Sequence, residues 1–296
     1  MSPRVGASPA VTAAPPTPAE VAPLIGRVPT LPADAVAVSV TMQAHGPQRW
    51  WRVPSVGVIW TDGSDVLVEP AADVDWSLVM LLLAGPVAAE AVWRQGGLPV
   101  RGSAASTRDR RRVLLFGRCA VGVSTLARTL VRRGGGWIGD ELLAVYPPAS
   151  DDAHRRAQVV GPSPEVLLPA DSCARLGISA EDRAGIRTGT AKLRSDVPQW
   201  SSQPQPLDWL VRLDTRDQDE PSWVRRRDSA ATATFLAAFA ASCYGSAARN
   251  LTGEGAEQFR RVCAVADVVR RGEFFRPDEP GVRINANARA LEAMVR

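Results

Sequence analysis

The chain has 296 residues, 45% of them apolar, and a formal net charge of +4. Such a composition is typical of a globular protein with a substantial core, and the small positive excess, carried almost entirely by arginine, indicates a solvated surface rather than a nucleic-acid-binding one. The four cysteines form no CxxC pair and the two histidines are remote from them in sequence, which argues against a zinc site or a disulfide framework.

The first 35 residues are dominated by Ala, Pro, Thr and Val, with eight prolines between positions 3 and 32. Proline fixes φ and removes a backbone donor, so residues 1–35 are predicted to form a disordered or extended leader. The leader lacks the charged start and apolar centre of a signal peptide. The longest apolar run, Leu78–Trp93, is interrupted by Gly85, Pro86 and Glu90 and is too short to span a bilayer. We therefore expect a cytoplasmic protein without membrane association.

Residues 36–68 alternate between apolar and polar side chains and are broken by turn signals, which predicts a small antiparallel sheet. An apolar helix is predicted from Asp75 to Arg94, ending before Gly96 and Gly97. A further strand is predicted at Leu98–Ser106. No linker is evident after residue 35, so residues 36–296 are predicted to form one domain, with 36–97 as its N-terminal part and 98–296 as its core and C-terminal part.

The most informative segment follows a charged turn at 107–112. Val113–Phe116 is wholly apolar, as in a strand buried on both faces, and a helix is predicted at Ser124–Arg133. The intervening segment fits the phosphate-loop pattern G-x-x-x-x-G-K-[ST] except at the lysine. Its residues are Gly117, Arg118, Cys119, Ala120, Val121, Gly122, Val123, Ser124 and Thr125. Backbone N–H groups and the dipole of the next helix would favour a phosphate here.

The loop lacks the lysine that neutralises charge on the β- and γ-phosphates, because Val123 stands in its place. Ser124 can still place its hydroxyl on Mg²⁺, and the acidic pair Asp140 and Glu141 can hold the same ion or orient an attacking hydroxyl. We expect this pair at or near the start of a strand, Leu142–Tyr146, next to the one before the loop. The candidates for a replacement cation are Arg101, Arg118 and Lys192, the only lysine in the chain.

The rest of the chain alternates short strands with helices. Strands are predicted at 159–160, 166–168 and 208–213, and helices at 171–176, 229–244, 253–271 and 285–295. The fold class is therefore α/β, with a small N-terminal antiparallel sheet, a phosphate-loop core and a helical C-terminal part.

The chain resembles the HPr kinase family over about residues 36–296. The family has a Leu-x-x-His-Gly-Ser-Ala segment before the phosphate-loop strand, and this chain reads Leu98-Pro-Val-Arg101-Gly102-Ser103-Ala104. The Arg-Arg-Gly and Asp-Asp pair that follow the family's loop helix are matched by Arg132-Arg133-Gly134 and Asp140-Glu141. A Lys-Arg-x-x-x-Pro-like segment is echoed at 192–198. The two departures are Val123 for the loop lysine and Arg101 for the histidine.

The resemblance implies a kinase-like core that holds ATP and Mg²⁺ and phosphorylates a hydroxyl on a peptide, a protein or a small molecule. Asp140 would be the base, with Arg101 beside the phosphates, and Ser124 and Glu141 would hold the metal. It also implies homo-oligomerisation. Two alternatives stay open: a pseudokinase that binds a nucleotide or a partner peptide without turnover, and a scaffold in which Val123 fills the phosphate pocket.

Overall fold

The computed structural model describes residues 24–37, 39, 41–148, 156–161, 165–169, 172–173, 176, 178, 183–186, 192–196, 203–216, 221–225, 229–277 and 284–296. Most of the predicted leader, residues 1–23, lies outside this part of the chain, as does half of the helix predicted at 171–176. Residues 24–35 already contact the fold: the Gly26 N–H donates to the Val68 carbonyl at 3.0 Å, and the Trp50 indole donates to the Pro29 carbonyl at 3.1 Å.

The predicted N-terminal antiparallel sheet is confirmed. Its five strands pair in chain order: β1 (Val36–Ala37), β2 (Met42–His45), β3 (Gln48–Val53), β4 (Gly57–Thr61) and β5 (Val66–Pro70). One face packs on the helical segment that follows, in a core with Val56, Ile59, Val68 and Val79. The sheet is therefore one layer of a small sheet-on-helix unit.

The predicted helix at 75–94 begins and ends as expected but is interrupted. It comprises α1 (Trp76–Leu82), a π-helical segment (Leu83–Val87) and α2 (Ala88–Arg94). The Asp75 carboxylate accepts a hydrogen bond from the Leu78 N–H at 3.2 Å and so caps the start. Pro86 lies in the π-helical segment, where its missing N–H explains the local change of pitch.

Eleven further strands occur in the described part of the chain. In chain order they are β6 (Leu98–Ser106), β7 (Arg112–Gly117), β8 (Trp137–Tyr146), β9 (Gln158–Val160), β10 (Glu165–Pro169), β11 (Arg183–Ile186), β12 (Lys192–Asp196), β13 (Gln205–Pro206), β14 (Trp209–Arg216), β15 (Ser222–Arg225) and β16 (Arg270–Pro277). Eight form a mixed sheet in the order β13-β9-β8-β6-β7-β14-β16-β15, and three form a small sheet in the order β10-β12-β11. The remaining helices are α3 (Val123–Arg132), α4 (Ser229–Ala241), α5 (Ser246–Leu251), α6 (Gly255–Val268) and α7 (Ile284–Val295).

The eight-stranded sheet is covered on both faces. Val113 and Leu115 of β7 belong to a core cluster that includes residues of α3 and α7. Leu114 and Phe116 belong to a second cluster with residues of α4 and α6, where the Phe116 and Phe235 ring centroids are 5.3 Å apart. Alternate side chains of β7 thus face opposite layers, which confirms the prediction of a strand buried on both sides.

The expected strand order was wrong in one respect. The carboxylates were predicted at or near the start of a strand, Leu142–Tyr146, next to the one before the loop, but β8 begins at Trp137 and Asp140 and Glu141 lie inside it. β6 lies between β7 and β8 and is antiparallel to both. The reason is the charged turn at 107–111, in which the Thr107 N–H donates to the Arg111 carbonyl at 2.8 Å and returns β6 directly into β7.

A buried arginine–glutamate cluster joins the N-terminal unit to the C-terminal helices. It consists of Arg49 on β3, Glu90 and Arg94 on α2, Arg249 on α5, and Glu254 before α6. Glu254 accepts from Arg49 at 2.7 Å, and Glu90 forms ion pairs with Arg94 at 2.7 Å and with Arg249 at 3.6 Å. Burial alone would raise the pKa of Glu254, but Arg49 and Arg94 outweigh it and hold that pKa below its usual value.

The described helices include none that is both long and apolar enough to cross a membrane.

Candidate functional site

The loop between β7 and α3 depends on glycine at both ends. A Cβ on Gly117 would lie 2.4 Å from the Leu213 carbonyl of the neighbouring strand β14, so only glycine lets the two backbones approach. Gly122 has φ of +92° at the N-cap of α3, and Ala120 also lies in the left-handed region with φ of 64°. These dihedrals curl the chain between the strand and the helix.

Within the described structure, the curled backbone leaves several amide groups of the loop without an acceptor. Within the loop, the Val121 N–H donates to the Arg118 carbonyl at 3.3 Å and the Leu126 N–H donates to the Gly122 carbonyl at 2.9 Å. In the described part of the chain, the amides of Cys119 and Ala120 and those of residues 122–124 donate to no acceptor. Amides at a glycine-rich helix N-terminus form an anion site because the helix dipole adds to their positive end.

Ser124 and Asp140 meet beside the loop. The Ser124 hydroxyl donates to Asp140 Oδ1 at 2.9 Å, and the Ser103 hydroxyl donates to the same oxygen. The two hydroxyl oxygens are 3.4 Å apart. Asp140 is 8% exposed. The structure therefore brings together two residues predicted from the sequence, and adds Ser103 from β6, to which the sequence analysis assigned no role.

Backbone geometry sets the position of Asp140 on β8. Ser103 pairs directly with Asp140, and the register then shifts so that Ile138 is an extra residue between the pairs made by Gly139 and Trp137. A Cβ built on Gly139 would lie 2.5 Å from the Cα of Gly161, and one on Gly161 would lie 2.5 Å from the Cα of Gly139. Two backbones thus touch immediately before Asp140.

Glu141 differs from its neighbours in conformation. Its φ is 65°, in the left-handed region, although it lies inside a strand and pairs with Gly102. A non-glycine residue held in this region stores strain, which is concentrated at functional sites. The role of Glu141 as a metal ligand beside Ser124 stays a prediction. Among the described residues, no three His, Cys, Asp or Glu side chains cluster as a metal site.

Val123 is an apolar, partly buried residue. Its side chain packs against a core cluster whose members come from the sheet, α3, α7 and the loop itself. The Thr125 hydroxyl lies 3.4 Å from that of Ser172. The position of the usual lysine therefore supplies no charge.

The proposed replacement cations are placed as follows. Arg118 is 74% exposed and forms an ion pair with Asp214 at 3.0 Å. The Arg101 guanidinium lies 4.7 Å from the centroid of the Tyr244 ring. Lys192 is on β12, and its side chain lies outside the described part of the structure.

Arg276 on β16 contacts the loop, a contact that the sequence analysis did not predict. Its Nε donates to the Val121 carbonyl at 2.7 Å, inside the loop. The helix predicted at 253–271 overlaps the start of this strand, and no strand was given bounds between it and the last helix. Nothing in the sequence therefore placed residue 276 near the loop.

The four cysteines differ in accessibility. Cys119, in the loop, is exposed, Cys263 is half-buried, and Cys173 and Cys243 are buried. Burial raises the pKa of the Cys243 thiol to about 12. We expect iodoacetamide at mildly alkaline pH to label Cys119 first and to spare Cys243, because the thiolate is the nucleophile and must be accessible. Peptide mass spectrometry over time measures the order, and labelling of Cys243 before Cys119 would contradict the placement of both side chains.

No protein-family model matches the sequence, and no curated protein is significantly similar to it. The structure is similar to the HPr(Ser) kinase/phosphatase from Coxiella burnetii, with a TM-score of 0.33 and 12% sequence identity. That similarity covers 65% of this chain and 88% of the other. The likeness is remote, so what the site can do rests on its own geometry.

Proposed function

We propose that the chain binds ATP with Mg²⁺ at the Gly117–Thr125 loop and transfers a phosphoryl group to a hydroxyl on a peptide, a protein or a small molecule. The observation that carries this proposal is the 2.9 Å contact between Ser124 and Asp140 at the start of the helix that follows a glycine loop. A loop serine and an acidic side chain from a nearby strand are the pair that phosphate-loop enzymes place around Mg²⁺ and the phosphates. The sequence resemblance to the HPr kinase family agrees with this assignment.

Each residue has a definite task in this proposal. The loop amides would bind the β- and γ-phosphates, while Ser124 and Glu141 would hold Mg²⁺, which neutralises phosphate charge. Asp140 would accept the proton of the acceptor hydroxyl. As this proton leaves, the oxygen of the acceptor hydroxyl would bond to the γ-phosphorus, and the bond between that phosphorus and the bridging oxygen of ADP would break. The bonds with Ser103 and Ser124 would orient the carboxylate for this step.

A second function, nucleotide binding without turnover, is favoured by Val123. In phosphate-loop enzymes the lysine neutralises charge as the phosphoryl group is transferred, and here that position is packed into the core. Binding by backbone amides survives this substitution, whereas transfer is slowed. The two functions share the binding step and differ in turnover.

Calorimetric titration with ATP and Mg²⁺ tests the shared step. We expect the intact chain to bind, and Ser124→Ala to weaken binding by about 10- to 100-fold, because it removes a hydroxyl next to a charged ligand. Ser64→Ala is the matched control, since Ser64 is an exposed serine in the turn between β4 and β5. Absence of binding at millimolar nucleotide would rule out both nucleotide functions and leave an interaction module.

A further inference from the structure

The loop lacks a positive charge at the usual position of the lysine. Four phosphate charges are brought to a site where the usual lysine is Val123, and the Val123 side chain packs against the core. Amides and a helix dipole supply only partial charges. If the site holds a triphosphate, a full charge from another element has to stand close to Gly122.

Arg276 is in contact with the loop at that point. Its Nε donates to the Val121 carbonyl at 2.7 Å, and its Nη1 donates to the Pro277 carbonyl at 2.9 Å. A Cβ built on Gly122 would lie 3.4 Å from Nε and 4.0 Å from Nη2 of Arg276. The guanidinium therefore lies against Gly122, the residue before the usual position of the lysine.

The topology explains how a residue so distant in sequence reaches the loop. β7, β14 and β16 are adjacent and parallel, and their registers align Gly117 with Leu213 and Leu213 with Phe274. Arg276 is two residues beyond Phe274, at the carboxyl end of its strand. Ligands of α/β sheets bind at the carboxyl ends of parallel strands, and the loop begins at the same edge.

The neighbouring arginines are engaged with acidic partners. Arg118 pairs with Asp214 at 3.0 Å, and Arg212 pairs with Glu273 at 3.2 Å. Arg276 differs from them in its contact with the loop, since it donates to the Val121 carbonyl inside it. Among the arginines described at this edge, Arg276 combines contact with the loop backbone and a position against Gly122.

We infer that Arg276 supplies the β- and γ-phosphates of a nucleoside triphosphate with the charge that the loop lysine provides elsewhere. This inference rests on the proposed function. Arginine suits the task because its guanidinium stays protonated and its planar set of donors can bind the loop and a phosphate oxygen together. The contact with Val121 then fixes the cation before the ligand arrives.

A double-mutant cycle between Arg276 and Val123 tests the inference, with Mg²⁺-ATP affinity measured by calorimetry. We expect Arg276→Gln to weaken binding by about 10- to 100-fold, as for loss of a charged hydrogen-bond donor. Adding Val123→Lys to Arg276→Gln should restore most of the affinity, whereas Val123→Lys alone should change it by less than about threefold. A purely structural role of Arg276 at Val121 would not be repaired by a lysine at position 123.

Arg260→Gln is the matched control, because Arg260 is an exposed arginine of α6 that pairs with Glu257 at 2.6 Å. The affinity of this variant should equal that of the intact chain. Thermal unfolding verifies that each variant is folded. If Arg276→Gln does not fold, the Val123→Lys variant tests the inference by itself. An affinity for Mg²⁺-ATP more than about tenfold above that of the intact chain would show that the loop lacks a cation, and this result would overturn the inference. If the intact chain binds and Arg276→Gln binds equally well, the inference falls and the proposed function stands. If the intact chain does not bind, both fall.

Discussion

Replacing Glu90 by alanine is expected to lower the free energy of unfolding by about 3–5 kcal/mol, as for removal of one partner from a buried ion pair. Glu90 is buried and forms an ion pair with Arg94 at 2.7 Å, with Arg49 and Arg249 each 3.6 Å away. Without it, three arginines share the single acid Glu254. Two of them, Arg49 and Arg249, are almost completely buried and cannot be solvated instead.

Urea unfolding followed by tryptophan fluorescence measures this loss, since Trp93 stacks under Arg249 at 4.3 Å and should report the cluster. Asp109→Asn is the control: it removes an ion pair with Arg296 that is more than half exposed, and it should cost less than about 1 kcal/mol. Equal midpoints for the two variants would show that the cluster contributes no more than a surface pair.

Asp140→Asn is expected to lower the rate of ATP turnover by about 10²- to 10⁴-fold, the usual contribution of a general base. The substitution keeps the size of the side chain and an oxygen that can accept from Ser103 and Ser124. It removes the charge that would take the proton of the acceptor hydroxyl. Turnover is measured as ADP released from Mg²⁺-ATP in the presence of candidate hydroxyl acceptors.

Asp267→Asn, an exposed carboxylate on α6, is the control and should not change the rate. A variant that turns over as fast as the intact chain would show that another group takes the proton. Binding without measurable turnover by the intact chain would instead support the second function, in which Val123 has removed catalysis and kept the ligand.

Much of the fold could be predicted because the signals are local. The apolar run Val113–Phe116 predicts β7, and the alternation over 36–68 predicts the N-terminal sheet. By contrast, the insertion of β6 between β7 and β8 depends on pairing between distant segments. The arginine–glutamate cluster could not be predicted from the sequence either, because only Glu90 and Arg94 lie at a helical i,i+4 spacing.

The candidate site also contains residues that local patterns predict and residues that only strand pairing brings together. Gly117, Gly122, Ser124 and Asp140 could be named as candidates because a loop pattern and an acidic pair can be recognised along the chain. Ser103 joins the candidate site only because the register of two strands places it opposite Asp140. Arg276 reaches the loop through two parallel pairings, and the charged residues of its strand gave no alternating apolar pattern.

The touching backbones at Gly139 and Gly161 have a consequence for how this protein can evolve. Neither residue carries a functional group, yet a methyl at either position would collide with the other's Cα. A larger side chain is accommodated only if the two strands move apart, and that movement displaces Asp140, the next residue along β8. Substitution at Gly139 is therefore coupled to substitution at Gly161. These two glycines are constrained by their backbone contact, although neither takes part in the chemistry of the site.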